Sequence, residues 1–396
     1  MRGLASSLSE RTLELVLREL GQEARRFRFD VAPNPCVGAA VFSGSEEVAR
    51  GFHRVWGEEH AEVAALAAAR ETGIAPERWT TLVVTLEPCS STEKTPPCVD
   101  AILASGVRTV VVGSLDPDKR HRGRGIELMR EAGLEVILLE GVCGLDWVAP
   151  HFLRWCAHER LRRPRPWTIA KWAQTLSGHL SPPLPRAGSI PDAMPDAMPD
   201  PRISGPEAHD EVQVLRGRVD AIVTGVGTAL ADDPRLTVRP PGTTEKPPLR
   251  VVLDSYLRTR PDSRLLTHAP GADEVAGPVH ILSFAGADAV RANELCAAGA
   301  EVHGLHSSGR DSLDLRDVQE WLWDQGVRRA LLETGPQLLE AMLAAEFVDQ
   351  VRIYTSDLRG GEGTTLAGWL SRAKLEERID HECGVDSVLE AFLEPR

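Results

Sequence analysis

A His-Ala-Glu triplet at His60, Ala61 and Glu62 is followed by Cys89 and then by Cys98, which arrives through Thr95-Pro96-Pro97. One imidazole and two thiolates are a ligand set suited to zinc, and they leave a fourth coordination position open for water. Zinc brings the pKa of such a water near neutrality, so that it can attack an amidine-like ring carbon. The departing nitrogen has to be protonated in the same reaction, and a carboxyl group beside the water, not bound to the metal, is suited to carry that proton. Glu62 has the residue type and the position for this task, and the set fits hydrolytic deamination.

Elements must bring these residues together. Glu58 through about Arg70 reads as a helix, with Val63, Leu66 and Ala67 at helical spacing. Residues two apart on a helix diverge by about 200°, so His60 and Glu62 share a site only at its first turn. Thr81 to Leu86 reads as a buried strand that delivers Glu87-Pro88-Cys89 at its end, and Pro96-Pro97 suits the first turn of a helix carrying Cys98. A buried cysteine, or a histidine near a helix start, is by itself an ordinary structural residue. What points to a metal is the combination, each member at a strand end or a helix start.

The chain has 396 residues, of which 42% are hydrophobic, enough for two or three domains with real cores. Acidic residues outnumber basic ones by 58 to 45, a net charge of −13, and the one basic run, Arg160 to Arg165, reads as a solvated linker; binding to nucleic acid is disfavoured. Seven cysteines, an odd number at low density, point to a reducing compartment. Cys36, Cys143, Cys156, Cys296 and Cys383 read as plain thiols. Met1 to Glu10 lacks a signal-peptide apolar region and no run of eighteen apolar residues occurs, so the expectation is a cytoplasmic protein without a membrane span.

Helices and strands alternate twice along the chain. The first alternation runs from a helix at about Ser9 to Arg26 to a strand at Glu135 to Leu139 and defines a domain over residues 1–150, followed by a linker at 151–166. The second occupies 167–396, with strands near Thr168 to Ala173, Val219 to Val223, Leu249 to Leu253, Val279 to Phe284, Ala330 to Glu333 and Val351 to Tyr354. Helices fall at Pro206 to Arg218, Asp314 to Gln325 and Pro336 to Ala345. Both halves therefore read as α/β. Residues 181–200 are Pro-rich and repeat Pro-Asp-Ala-Met at 191 and 195, which predicts a mobile surface loop. Gly225 and Gly227 do not make a Rossmann fingerprint, because Leu230 replaces the third glycine. Glu333-Thr334-Gly335-Pro336-Gln337 instead ends a strand and opens a helix whose N–H groups suit a pyrophosphate.

The stretches Pro33-Asn34-Pro35-Cys36, Gly51-Phe52-His53, His60-Ala61-Glu62-Val63, Thr85-Leu86-Glu87-Pro88-Cys89, Thr95-Pro96-Pro97-Cys98 and Gly123-Arg124-Gly125-Ile126 resemble the deaminase half of the bifunctional riboflavin-biosynthesis deaminase/reductases. Ser204-Gly205-Pro206, Leu215-Arg216, Asp220 to Thr228, Leu230 to Pro234, Leu236-Thr237 with Arg239, Leu253-Asp254-Ser255 and Glu333 to Pro336 resemble their reductase half. The resemblance implies a cytidine-deaminase-like domain followed by a dihydrofolate-reductase-like domain, with Zn2+ and NADPH as cofactors and a homo-oligomeric assembly. It implies that His60, Cys89 and Cys98 hold zinc, that Glu62 is catalytic and that Asn34 contacts substrate. It further implies NADPH contacts at Ala173, Thr228, Asp232, Ser255, Gly335, Pro336 and Gln337, and contacts to a phosphoribosylaminopyrimidine at Arg216, Leu236, Arg239 and Glu333. Two arginines are chemically apt for gripping a phosphate. The chain departs from the family at Ser91, Glu93, Ser177, His179, Arg202, Thr334 and the strand end Tyr354 to Gly361.

The function so implied is deamination of 2,5-diamino-6-(5-phosphoribosylamino)pyrimidin-4(3H)-one, then reduction of the ribosyl group to ribityl. The departures in the second half leave a deaminase with a weak or inactive reductase-like domain as the alternative. A nucleic-acid base deaminase would share the zinc chemistry, but the eight residues between Cys89 and Cys98, the acidic charge and the lack of an aromatic stacking surface argue against it.

Overall fold

The computed structural model describes residues 8–92, 95–117, 121–142, 165–183, 203–239, 246–271, 273–306 and 312–394. Residues 151–164 of the expected linker, 184–200 of the Pro-rich segment, Cys143, Cys156, Glu93 and Arg202 lie outside the described residues. The chain divides into two compact units, Met1–Arg162 and Arg163–Arg396. Among the described residues no helix is long and apolar enough to cross a membrane.

In the first unit, β1 (Gly38–Ser43), β2 (Glu46–Phe52), β3 (Thr81–Val84), β4 (Thr109–Val112) and β5 (Glu135–Leu138) form one sheet in the order β2-β1-β3-β4-β5. β1 runs antiparallel to both neighbours, whereas β3, β4 and β5 are parallel. The parallel strands are short continuous apolar runs because helices cover both faces. Helix Glu10–Ala24, capped by the Ser9 hydroxyl, buries Leu13, Val16, Leu17 and Leu20. Helix Ala61–Glu71 buries its small residues Ala61, Ala65 and Ala69. Its backbone passes so close to β2 that a Cβ at Gly51 would collide with Ala64 and Ala65, which fixes the height of the helix over the sheet.

The second unit holds β6 (Trp167–Gln174), β7 (His179–Ser181), β8 (Ala221–Gly225), β9 (Leu249–Leu253), β10 (Val279–Phe284), β11 (Ala300–Leu305), β12 (Arg329–Glu333), β13 (Gln350–Thr355), β14 (Glu362–Thr365), β15 (Leu375–Cys383) and β16 (Asp386–Leu393). Nine of them form one sheet in the order β11-β10-β9-β8-β12-β6-β13-β16-β15, and β14 pairs with β7. From β11 to β13 every pairing is parallel, and the hairpin β15–β16 closes one edge in antiparallel sense. Parallel neighbours need crossovers, supplied here by helices such as Pro206–Gly217, Ala289–Ala297, Leu315–Asp324 and Pro336–Ala344. The carboxyl ends of β6, β8, β9 and β12 consequently lie along one edge of the sheet, where parallel α/β folds place ligands.

Two expected element starts are corrected. The helix at His60 begins at Ala61, and His60 is its extended N-cap residue (φ −78°, ψ 162°). Pro96 and Pro97 precede the second helix, which starts at Cys98 with Pro97 as its extended N-cap. In both cases the ligand stands where the chain turns from extended to helical, so its side chain is free to aim at a site beyond the helix end.

Candidate functional site

His60 Nδ1 lies 3.3 Å from Cys98 Sγ and 3.5 Å from Cys89 Sγ, and the Cys98 backbone N–H points to the Cys89 sulfur at 3.3 Å. A tetrahedral zinc with ordinary Zn–N and Zn–S bonds separates its nitrogen and sulfur ligands by about 3.5 Å. The donor set and its spacing thus fit zinc, with no rearrangement of the three side chains. Cys98 is fully buried, while His60 and Cys89 are half-buried, so the cluster opens to solvent on one side. The hydrogen bond between the two sulfurs, with His60 beside them, pulls the Cys89 thiol down to about 4, and the same bond together with burial pushes the Cys98 thiol up.

Glu62 sits in the first turn of helix Ala61–Glu71, 3% exposed and beside the cluster. Burial pushes its carboxyl above the ordinary range and the Cys89 charge adds to this, while His60 acts in the opposite sense. A buried carboxyl with a raised pKa beside a water site can both accept and return a proton near neutral pH. Asn34 belongs to the same site. Its Nδ2 lies 3.2 Å from His53 Nε2, the other ring nitrogen of His53 meets the Glu59 carbonyl at 3.0 Å, and the His53 ring stands edge-on to His60 at 5.2 Å.

Glu87 was not singled out as a site residue, yet it builds the turn that presents Cys89. Buried to 4% exposure, its Oε2 accepts hydrogen bonds from the backbone N–H of Asp116 (3.1 Å) and Gly123 (2.8 Å), and its Oε1 from Gly125 (2.9 Å) and Ile126 (3.4 Å). The start of helix Arg124–Glu131 is thereby drawn against the Glu87-Pro88 turn, so closely that any Cβ at Gly125 would strike the Pro88 carbonyl. Both stretches stand out in the sequence, but nothing there indicates that they touch.

In the second unit the named residues gather at the carboxyl edge of the parallel strands. Ala173 lies near the end of β6, Thr228 and Asp232 on helix Val226–Asp232 that follows β8, Ser255 just past β9, and Gly335-Pro336-Gln337 at the start of helix Pro336–Ala344 after β12. No side chain caps that helix start. The Gly335 N–H donates to Thr228 Oγ1 at 2.7 Å, and the Gly225 N–H donates to Thr334 Oγ1 at 3.2 Å. The turns after β8 and β12 are therefore tied together, with Thr334 acting as a tie in place of a glycine. Beside them Gly227 is exposed, and a Cβ built on it meets no atom within 4 Å. An open glycine next to an uncapped helix start fits a dinucleotide pyrophosphate.

Arg216 and Glu333 meet in a buried bidentate ion pair at 2.6 and 2.8 Å, and Arg216 also donates to the Thr237 carbonyl at 3.0 Å. Burial works against the Glu333 charge, but Arg216 and then Lys171 hold its carboxyl below the usual range. Lys171 lies opposite Glu333 in the β6–β12 register, and burial lowers its pKa. Arg216 is thus engaged by Glu333 and the Thr237 carbonyl, and the two residues named for substrate contact in this part of the sheet bind each other. Arg239 donates its backbone N–H to Gln213 Oε1 at 3.1 Å, its Nη2 lies 3.5 Å from His209 Nε2, and its buried Nε has no hydrogen-bond partner among the described residues. Burial, with Arg216, Arg235 and Arg264 nearby, lowers its pKa against the pull of Glu274. Leu236 is buried with a left-handed backbone (φ 52°), which turns the chain between Arg235 and Thr237.

Departures in the second half also contact one another. The Gly360 N–H donates to Ser177 Oγ at 2.9 Å, Thr175 Oγ1 donates to the Gly360 carbonyl at 2.6 Å, and Gly361 packs so tightly on His179 that a Cβ there would clash.

These two units define a class: a hydrolytic zinc deaminase of cytidine-deaminase type joined to a reductase built on a parallel sheet. Residues 10–114 match the cytidine and deoxycytidylate deaminase zinc-binding region, and residues 166–379 match the RibD C-terminal domain. The chain is 33% identical over 351 residues to riboflavin biosynthesis protein RibD of Aquifex aeolicus, covering 88% of this chain and 87% of that one. Acinetobacter baumannii RibD superposes with a TM-score of 0.64 at 25% identity, over 97% of this chain and 99% of the other. A diaminohydroxyphosphoribosylaminopyrimidine deaminase/5-amino-6-(5-phosphoribosylamino)uracil reductase of Thermotoga maritima gives 0.62 at 25% identity, over 96% and 99%. The chain belongs to the RibD family of bifunctional riboflavin-biosynthesis proteins. It is an enzyme with a zinc-dependent deaminase domain and an NADPH-dependent reductase domain.

Proposed function

We propose that the first unit deaminates 2,5-diamino-6-(5-phosphoribosylamino)pyrimidin-4(3H)-one and that the second reduces the ribosyl group of the deaminated product. The observation that carries this reading is the His60–Cys89–Cys98 cluster with the buried Glu62 carboxyl beside it. When bound, zinc lowers the pKa of its water so that the water becomes a nucleophile near neutral pH. With zinc held by His60, Cys89 and Cys98, Glu62 would accept a proton from the attacking water and return it to the leaving nitrogen, so that ammonia would depart and a carbonyl remain on the ring. Asn34, braced by His53, contacts the substrate at the rim.

In the second unit NADPH, when bound, supplies the hydride. The Gly335-Pro336-Gln337 helix start and Thr228 receive its pyrophosphate, with Ala173, Asp232 and Ser255 along the same edge. Arg239 holds the substrate phosphate through its guanidinium. Arg216 fixes Glu333, whose carboxylate, with the Leu236 segment, positions the ribosylamino group. The reading also places the enzyme in the cytoplasm as a homo-oligomer acting on a small molecule rather than nucleic acid, in keeping with its acidic charge and odd number of cysteines.

Each activity is assayed separately on the full chain. The diamino substrate should release ammonia without NADPH, and 5-amino-6-(5-phosphoribosylamino)uracil should consume NADPH. Failure of the first overturns the deaminase substrate, and failure of the second overturns the reductase assignment.

A further inference from the structure

At the edge of the large sheet, away from the β6, β8 and β12 strand ends, the parallel register of β10 and β11 sets His280 beside Glu301 and Leu282 beside His303. Alternate residues of a strand share a face, so Glu301 and His303 stand on the side that His280 occupies. His280 Nδ1 lies 3.0 Å from His303 Nε2 and 3.6 Å from Glu301 Oε2, and that same oxygen lies 3.9 Å from His303 Nε2. A triangle with these sides has a circumradius of about 2.0 Å, so an ion a little above its plane lies within about 2.2 Å of all three donors, in the range of Zn–N and Zn–O bonds. Tetrahedral ligands at that bond length stand about 3.3 Å apart, inside the observed range.

The surroundings suit a bound ion. The Trp321 indole, from helix Leu315–Asp324, packs on both imidazoles with ring centroids at 5.3 and 4.9 Å and fixes their orientation. The His280 side chain is 6% exposed and that of Glu301 61%, so the group is walled on the protein side and open to water on the other. Two imidazoles and one carboxylate select a borderline divalent ion such as Zn2+, Co2+ or Ni2+ over Mg2+ or Ca2+, which prefer all-oxygen sites. None of the three residues takes part in either reaction site.

We propose that His280, Glu301 and His303 form a second divalent transition-metal site that takes Zn2+, with water completing the coordination. The ion cross-links the edge strand β11 to β10 and shares no ligand with the deaminase centre.

The test uses the full chain. Elemental analysis after incubation with excess Zn2+ and gel filtration should give two zinc ions per chain for the wild type. It should give one for His303→Gln and one for Glu301→Gln, with ammonia release unchanged in both. In a Cys89→Ala, Cys98→Ala background, Co2+ should bind once per chain with weak visible d–d bands and no thiolate charge-transfer band. Adding Glu301→Gln should weaken that binding by at least about tenfold. Glu301 is mostly exposed, so this variant carries the test even if His303→Gln folds poorly. A wild type that holds one zinc only, or a second metal that survives both substitutions, overturns the proposal and leaves a hydrogen-bonded imidazole pair.

Discussion

Glu87→Gln tests how the deaminase centre is held. The Glu87 carboxylate accepts four backbone N–H groups, two on each oxygen, and three of the four bonds are 3.1 Å or shorter. Glutamine keeps one acceptor oxygen and turns an NH2 toward the other pair, so two buried donors lose their partner. Hydrogen bonds to a charged group contribute about 1.5–3 kcal/mol each, which makes the loss about 3–6 kcal/mol. For a unit of this size that lowers the unfolding midpoint by roughly 6–24 °C. Because Glu87 stands two residues from Cys89, zinc should also be surrendered more readily to a chelator. The assay follows the thermal transition that chelation shifts, with zinc release measured in parallel against a competing dye. A Glu87→Gln protein that melts within about 2 °C of wild type and holds zinc as tightly would refute the anchoring role argued from these four bonds.

Arg239→Ala should raise KM for the phosphorylated reductase substrate at least about tenfold, the loss of a charge-assisted contact, and change kcat little; steady-state NADPH oxidation checks this, and an unchanged KM removes Arg239 from the phosphate site. Glu333 has a folded-state pKa below its ordinary value of 4.5, so its pairing stabilises the protein fully above about pH 4.5 and is lost as the pH falls through the lower folded value. Glu333→Gln should therefore cost about 3–5 kcal/mol at neutral pH by stranding Arg216, and the gap to wild type should narrow in acid; urea titrations at pH 7 and below pH 4 measure both.

The deaminase centre was readable because its chemistry lies in residue types at places where strands end and helices begin. His60, Glu62, Cys89 and Cys98 converge as expected, although the two helices start later than the apolar spacing indicated, because His60 and Pro97 both take extended conformations. Strands with continuous apolar runs, such as β9 and β10, lie where the sequence predicts them. β2 was missed because Glu46-Glu47-Val48-Ala49-Arg50-Gly51-Phe52 is half exposed and carries charges, and β15 because an edge strand needs only one apolar face. β16 reads equally well as a helix, since Val388, Leu389, Ala391 and Phe392 satisfy either period. Pairings across long separations were invisible: Arg216 meets Glu333 over 117 residues and His280 meets His303 over 23, and only the folded register brings them together. The family resemblance assigns both partners of the first pair to substrate, and the sequence holds no sign that they bind each other.

The central claim is that Glu62 moves protons beside a zinc that it does not bind. Zinc content and ammonia release measured on the same preparation of Glu62→Gln test it most directly. The account predicts one metal retained at His60, Cys89 and Cys98, reductase turnover with the deaminated substrate intact, and deamination slower by a factor of about 10² or more. Wild-type ammonia release from the variant, or loss of that zinc with the substitution, would contradict it.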